Sequence, residues 1–250
     1  MTRARRIGLI LFAGLATVVF VGLGVWQVQR RAWKLDLVAR VEARLAAPPA
    51  AAPGPGAWPD VTADGDAYRR LVLSGTFVPG HDTLVQAVTE LGPGSWVLTP
   101  LTTDDGFTVL VNRGFVPPER RAPEDHVAPA DHVTVTGLLR LTEPDGAFLR
   151  ANDPAAGRWY SRDTAAIAAA QGLGPVAPFF VDQGHGAAGV YPVGGLTVVR
   201  FHNSHLVYAL TWFAMALTTL VGTVLALRHG RRAGTRAATP APAGAATHLG

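Results

Sequence analysis

The sequence predicts a membrane protein in which two transmembrane helices flank one β-rich α+β extracytoplasmic domain. Two uncharged apolar runs lie near the ends of the 250-residue chain, the segments between them alternate in the manner of strands, and charge is sorted between the two kinds of region. Hydrophobic residues make up 48% and charged residues 16%, with a mean hydropathy of +0.21, which is too apolar for a disordered chain.

The first run, Ile7 to Val25, holds 19 residues without a charge, enough to cross about 30 Å of hydrocarbon at 1.5 Å per residue. It ends in Trp26 and Gln27 rather than in a small-x-small cleavage site, so an uncleaved anchor is expected and not a signal peptide. The second run, Leu206 to Leu227, has 22 uncharged residues and is closed by Arg228, Arg231, Arg232 and Arg236. Those arginines, with Arg3, Arg5 and Arg6, place both termini on the cytoplasmic side. The expected layout is a cytoplasmic N-terminus over 1–6, a span over 7–27, an extracytoplasmic domain over 28–202, a span over 203–227 and a disordered cytoplasmic tail over 228–250.

Net charge is +4, but all 18 acids fall between Asp36 and Asp182. Residues 32–199 carry 12 basic groups against those 18, a net charge of −6, so the domain would repel phosphate and nucleic acid is excluded as its partner. Membrane lipid is the partner expected of the basic ends.

Within the domain, Leu37, Val41 and Leu45 recur at helical spacing until Pro48 and Pro49 stop them. Ala50 to Pro59, rich in Pro, Gly and Ala, reads as a linker. Strands are expected over Tyr68 to Phe77, Thr83 to Val88, Ser95 to Leu101, Phe107 to Val116, Val133 to Leu141, Phe179 to Asp182 and Thr197 to Phe201, each bounded by Gly, Pro or Asp. Asp104-Asp105-Gly106 forms a tight turn between the third and fourth, and Asp163 caps a short helix over Ala165 to Gln171.

Zero cysteines exclude a disulfide framework, a thiolate metal cage and covalent haem attachment. No GxSxG, HExxH or phosphate-cradling loop is present, and no nucleophile stands beside a base, so the chain is read as a non-enzyme. Of the eight histidines, His81, His126, His132 and His185 sit in polar or Pro/Gly-rich loops where a solvated ring is the default, whereas His202 and His205 stand where the last strand meets the second span. With a helix starting near Asn203, His205, Tyr208 and Trp212 share one face, an arrangement able to ligate haem iron through an imidazole nitrogen while aromatic rings pack on the macrocycle. An interfacial aromatic belt has the same spacing, and spacing alone favours the belt. Ala214, Thr218, Gly222 and Ala226 form a smooth stripe for close packing. At the end of the first span, Gln27, Arg31 and Lys34 make one row and Trp26, Arg30 and Trp33 another: a cationic, aromatic collar suited to carboxylates, or an anchor of Trp and snorkelling Arg.

Taken in order, GLGVWQVQRRAWKLDL (Gly22 to Leu37), TVLVNRGFVP (Thr108 to Pro117), GLLRLTE (Gly137 to Glu143), NDP (Asn152 to Pro154) with WYSRD (Trp159 to Asp163) and NSHLVYALTW (Asn203 to Trp212) resemble the surfeit locus protein 1 family. That resemblance implies an assembly factor for haem-copper terminal oxidases such as cytochrome c oxidase, which assists haem a delivery to, or maturation of the haem site in, oxidase subunit I. It implies a transiently bound haem a, with His205 as the ligand to the haem iron and Tyr208, Trp212, Trp26, Gln27 and Arg30 nearby. The implied partners are subunit I and the enzymes of haem a synthesis, and the implied setting is a bacterial inner membrane with the central domain periplasmic. A quinol oxidase is a second client to be expected. Against this stand a scaffold that stabilises subunit I intermediates without haem, and a membrane-tethered enzyme or sensor, for which no cluster of acid, base or nucleophile speaks.

Overall fold

A computed structural model describes residues 2–144, 146, 150–187, 189–199 and 203–237 of the chain. Two compact units emerge, one from the chain's ends (Met1–Val38 and Phe201–Gly250) and one from Ala39–Arg200.

The first unit is a pair of helices, α1 (Arg3–Ala46, whose last turns belong to the second unit) and α4 (His205–Ala237). Phe12, Leu15 and Val18 of α1 and Val207, Leu210 and Leu217 of α4 are more than 60% exposed, although the helices stay apolar over 18 residues or more. A helix that is hydrophobic all round and yet unburied by protein belongs in lipid, so both helices are membrane spans. α1 is unbroken, so the helical repeat of Leu37, Val41 and Leu45 continues the first span rather than forming a separate element. At the other end Arg228–Ala237, expected as disordered tail, continues α4 as helix, in keeping with its four arginines and two alanines, which favour the helix. The rest of that expected tail, 238–250, lies outside the described residues, as does His202.

The two helices pack antiparallel along a seam with alternating steps of four and three residues. On α1 the less exposed positions are Ala13, Thr17, Phe20, Gly24, Gln27, Arg31 and Lys34; on α4 they are His205, Ala209, Trp212, Ala216, Thr219 and Thr223. Phe20 stacks on Trp212 with ring centroids 5.8 Å apart, and Gly24 faces the Phe213 ring, which a Cβ there would meet at 2.5 Å. The stripe of Ala214, Thr218, Gly222 and Ala226, expected to pack on the first span or on another subunit, is exposed and so does not pack on the first span. Ala209 and Ala216 supply the small residues of the seam, because the contact follows the heptad-like steps and not a strict repeat of four.

The second unit is a closed β-barrel. β2 (Arg70–Phe77), β3 (Thr83–Thr89), β4 (Gly92–Thr103), β5 (Thr108–Val116), β6 (Val133–Leu141) and β7 (Val176–Gln183) match six of the seven expected strands within a few residues. β2 pairs with β6, β6 with β7, β7 with β5 and β5 with β4, and the end of β4 returns to β2 through Gly75–Thr103 and Phe77–Leu101. That return closes a five-stranded ring and leaves β3 as a hairpin partner of β4. Closure draws the backbones close: a Cβ on Gly75 would lie 2.1 Å from the Thr102 carbonyl oxygen.

Alternate residues of the ring point inward. Leu71, Leu73, Phe77, Leu101, Val109, Val111, Val135, Leu139, Phe179 and Val181 form its core, each burial being worth about 1.5–3 kcal/mol. Outside the ring, Val85, Leu98, Leu110 and Phe180 pack beneath Trp159 and Ile167. Ile167 lies on α3 (Thr164–Ala170), which Asp163 caps as expected by accepting from the Ala166 N–H at 3.1 Å. The Asp104-Asp105-Gly106 turn is also present, with the Gly106 N–H donating to the Thr103 carbonyl at 2.9 Å.

Two expectations give way. Ala50–Pro59 is not a free linker: β1 (Ala50–Ala51) pairs parallel with β2, and a 3-10 turn over Pro55–Asp60 sets Trp58 edge-on against Phe107. The strand expected over Thr197 to Phe201 is absent over 197–199, its last two residues lying outside the described ones. Thr197 turns its hydroxyl to the Asp182 carboxylate at 2.8 Å, an interaction that takes the place of a ladder.

Candidate functional site: an imidazole on the seam of the helix pair

His205 opens α4, and its ring Nδ1–H donates to Gln27 Oε1 of α1 at 2.7 Å. Both side chains are half-buried on the seam, where a polar residue is tolerated only with a partner. With Nδ1 occupied, Nε2 has no hydrogen-bond partner among the described residues and is not one of the buried unpaired atoms. Two turns along the same seam, Trp212 lies over Phe20. Asn203, just before the helix, has its Oδ1 buried without a partner.

Of the six residues singled out in the sequence, the structure therefore joins Gln27 directly to His205 and sets Trp212 on the same seam. Tyr208 does not share that face: it is 54% exposed, because an i+3 step turns it off the line that Ala209 and Trp212 continue. Trp26 and Arg30 also point outward. Trp26 is 53% exposed, and the Arg30 guanidinium covers the Trp33 ring at 4.0 Å, so the outer row pairs within itself. Arg31 follows Gln27 by one turn on the seam side.

These groups suit a haem as cargo. An imidazole with one nitrogen tied to an amide oxygen has the other available to a metal, Phe20 and Trp212 stack two turns along the seam, and Arg31 follows Gln27 by a turn on the seam side. Among the described residues no group of three His, Asp or Glu converges as a cage for a bare metal ion.

The motifs of the barrel have a different use. Asp182, 4% exposed near the end of β7, accepts from Asn112 Nδ2 at 2.8 Å, Arg140 at 2.9 Å, Arg162 at 3.3 Å and Thr197 at 2.8 Å. The sequence reading passed over this hub, since nothing marks the partners of a lone aspartate at the end of an apolar strand. Asn112-Arg113-Gly114 is likewise structural. The Asn112 side-chain Oδ1 accepts from the Gly114 N–H at 3.2 Å, and Arg113 donates to the backbone carbonyls of His126 and Val127 at 2.7 and 2.8 Å. Burial lowers the pKa of Arg113 from its ordinary value, while nearby Asp82 partly restores it. The domain-internal support expected for an Arg between strands is what the geometry contains.

In the WYSRD stretch Trp159 is buried, Ser161 is held by Asn152, and Arg162 clasps Glu143 with bonds of 2.6 and 3.0 Å. Burial by itself would raise the Glu143 pKa, but the Arg162 hydrogen bonds and charge outweigh it and hold the carboxyl below its usual range. His126 is a correction. It is not solvated but 4% exposed, its Nδ1 2.8 Å from Asp82 and its Nε2 buried without a partner, because Arg113 draws the loop that carries it onto the barrel.

Residues 14–217 match the model of the SURF1 family. Similar proteins include Surfeit locus protein 1 of Mus musculus, 35% identical over 79% of this chain and 69% of its own length. Surfeit locus protein 1 of Homo sapiens is 33% identical over 82% of this chain and 73% of its own. A SURF1-like protein of Monosiga brevicollis is 33% identical over 89% of each. The match runs through both helices and the whole barrel, and the chain belongs to the SURF1 family, the oxidase-assembly family whose motifs its sequence carries.

Proposed function

We propose that this protein is a non-enzymatic assembly factor that holds haem a at the bilayer surface and presents it to subunit I of a haem-copper terminal oxidase. The observation that carries the reading is the His205–Gln27 contact, an imidazole fixed between two membrane helices with Nε2 left for iron. A farnesylated haem is nearly insoluble in water, so a carrier gains by keeping it in contact with lipid. One axial imidazole is a weaker hold than a pair, which makes transfer to a two-histidine site favourable. Trp212 offers an aromatic surface for the macrocycle, and Arg31, a turn beyond Gln27 on the seam side, offers charge for its propionates. In this reading both termini lie in the cytoplasm of a bacterium and the barrel on the periplasmic side of the inner membrane, which the basic ends support. There the barrel is free to meet subunit I, of a cytochrome c oxidase or of a quinol oxidase, and the enzymes that make haem a.

Purification of the wild type and His205→Ala in mild detergent from cells that make haem a tests the reading. The wild type is expected to carry haem a and the variant at least about tenfold less, the scale on which loss of a ligand or its support acts. Equal haem in the two would remove His205 from the mechanism. A colourless wild type that still co-purifies with subunit I would leave the scaffold as the function.

A further inference from the structure

We infer that Gln27 is a positioning residue that sets the ligand strength of His205, keeping its hold on haem iron weak enough for release. The inference rests on the haem reading above and deepens it. An imidazole that ligates a metal through one nitrogen has its basicity tuned by whatever accepts a proton from the other. Here the acceptor is an amide oxygen at 2.7 Å, with donor and acceptor 178 residues apart in sequence and brought together by the antiparallel seam. A carboxylate in that place would pull the proton away, give the ring imidazolate character and tighten ferric iron. An apolar side chain would free the ring to turn and to exchange tautomers. A neutral amide lies between these: it fixes the tautomer that leaves Nε2 for iron and holds the ring in orientation, while strengthening the bond less than a carboxylate would.

A purely structural hydrogen bond between membrane helices would look the same in the apoprotein. Ligand tuning differs from it in having a sign. Full-length wild type, Gln27→Leu, Gln27→Glu and His205→Ala, each in detergent micelles with helix content checked, are titrated with haem a, and the midpoint potential of the bound haem is measured. Gln27→Leu is expected to bind at least about tenfold more weakly and to raise the potential; Gln27→Glu is expected to bind ferric haem a more tightly and to lower it. Shifts of one sign in both variants, or wild-type affinity and potential in both while His205→Ala loses the haem, would overturn the role of Gln27 and leave the haem reading standing. Haem retained by His205→Ala with unchanged affinity would overturn the reading beneath it. If Gln27→Leu does not fold, the sign of the potential shift in Gln27→Glu decides.

Discussion

Asp182→Asn tests whether the barrel's motifs are held together by one carboxylate. The side chain is 4% exposed and accepts four hydrogen bonds, two of them from the guanidinium groups of Arg140 and Arg162. Replacing one oxygen by an NH2 group removes the countercharge and points a donor at other donors. Removing one partner of a buried ion pair costs about 3–5 kcal/mol, because the remaining charge is left uncompensated. Glu143 softens this for Arg162, which it contacts at 2.6 Å, but reaches Arg140 only at 3.7 Å, so the lower part of that range is expected. For the Ala39–Arg200 unit, at an unfolding entropy of about 2.1 cal/mol/K per residue, about 3 kcal/mol lowers Tm by about 9 °C. The assay is thermal unfolding of the full chain in detergent, followed by near-UV circular dichroism, where the barrel's Trp58, Trp96 and Trp159 report. A Tm within about 2 °C of wild type would refute the hub as a determinant of stability.

Two further predictions concern the same unit. Gly114 has φ +136°, and a Cβ there would lie 2.3 Å from the Val193 carbonyl carbon, whereas Gly106 has φ +82° with open space around it. Gly114→Ala is therefore expected to cost at least about 2 kcal/mol and Gly106→Ala about 1 kcal/mol, a ranking that chemical denaturation of the two variants checks. Arg162 holds the Glu143 pKa below its ordinary value, so the pair's contribution to stability is fully present above the ordinary carboxylate range and is lost as the pH falls through that range and below it. Glu143→Gln is expected to flatten the acid limb of a Tm-against-pH curve and to lower Tm at neutral pH; an unchanged acid limb would remove Glu143 from that account.

How far the fold could be read depended on how local its causes are. Alternation with Gly, Pro and Asp at the ends is a property of neighbouring residues, and it located six strands, the Asp104-Asp105-Gly106 turn and the Asp163 cap. Ring closure is not local: it depends on Gly75 allowing β2 to leave β6 and approach Thr102, which in sequence looks like any small residue in a strand. His126 was read as solvated because its neighbours are Pro, Glu and Asp, while the cause of its burial, Arg113, lies 13 residues away on β5. One signal was available there: an arginine within the apolar run TVLVNRGFV needs buried acceptors. Gln27 and His205 were each legible as polar residues at the edge of an apolar run, but their pairing requires the register of the helix seam, which no single helix encodes.

The residues that carry the family resemblance thus separate by what their polar atoms do. In Asn112-Arg113-Gly114, Asn152-Asp153-Pro154 and the WYSRD stretch, the side chains of Asn112, Arg113, Asn152, Ser161 and Arg162 bind other parts of the barrel and have little left to offer a cargo. His126 keeps an unused Nε2, but that atom is buried and meets a ligand only if the loop carrying it opens. In the helix pair the balance is reversed: His205 uses one ring nitrogen on Gln27 and keeps the other, in a seam that small residues keep narrow and on which Phe20 and Trp212 stack two turns away. On the proposal that the cargo is a haem, the groups to test therefore lie in the helix pair and not in the barrel. Substitutions in the barrel should therefore act on the amount of folded protein, and those at Gln27 and His205 on what the folded protein holds.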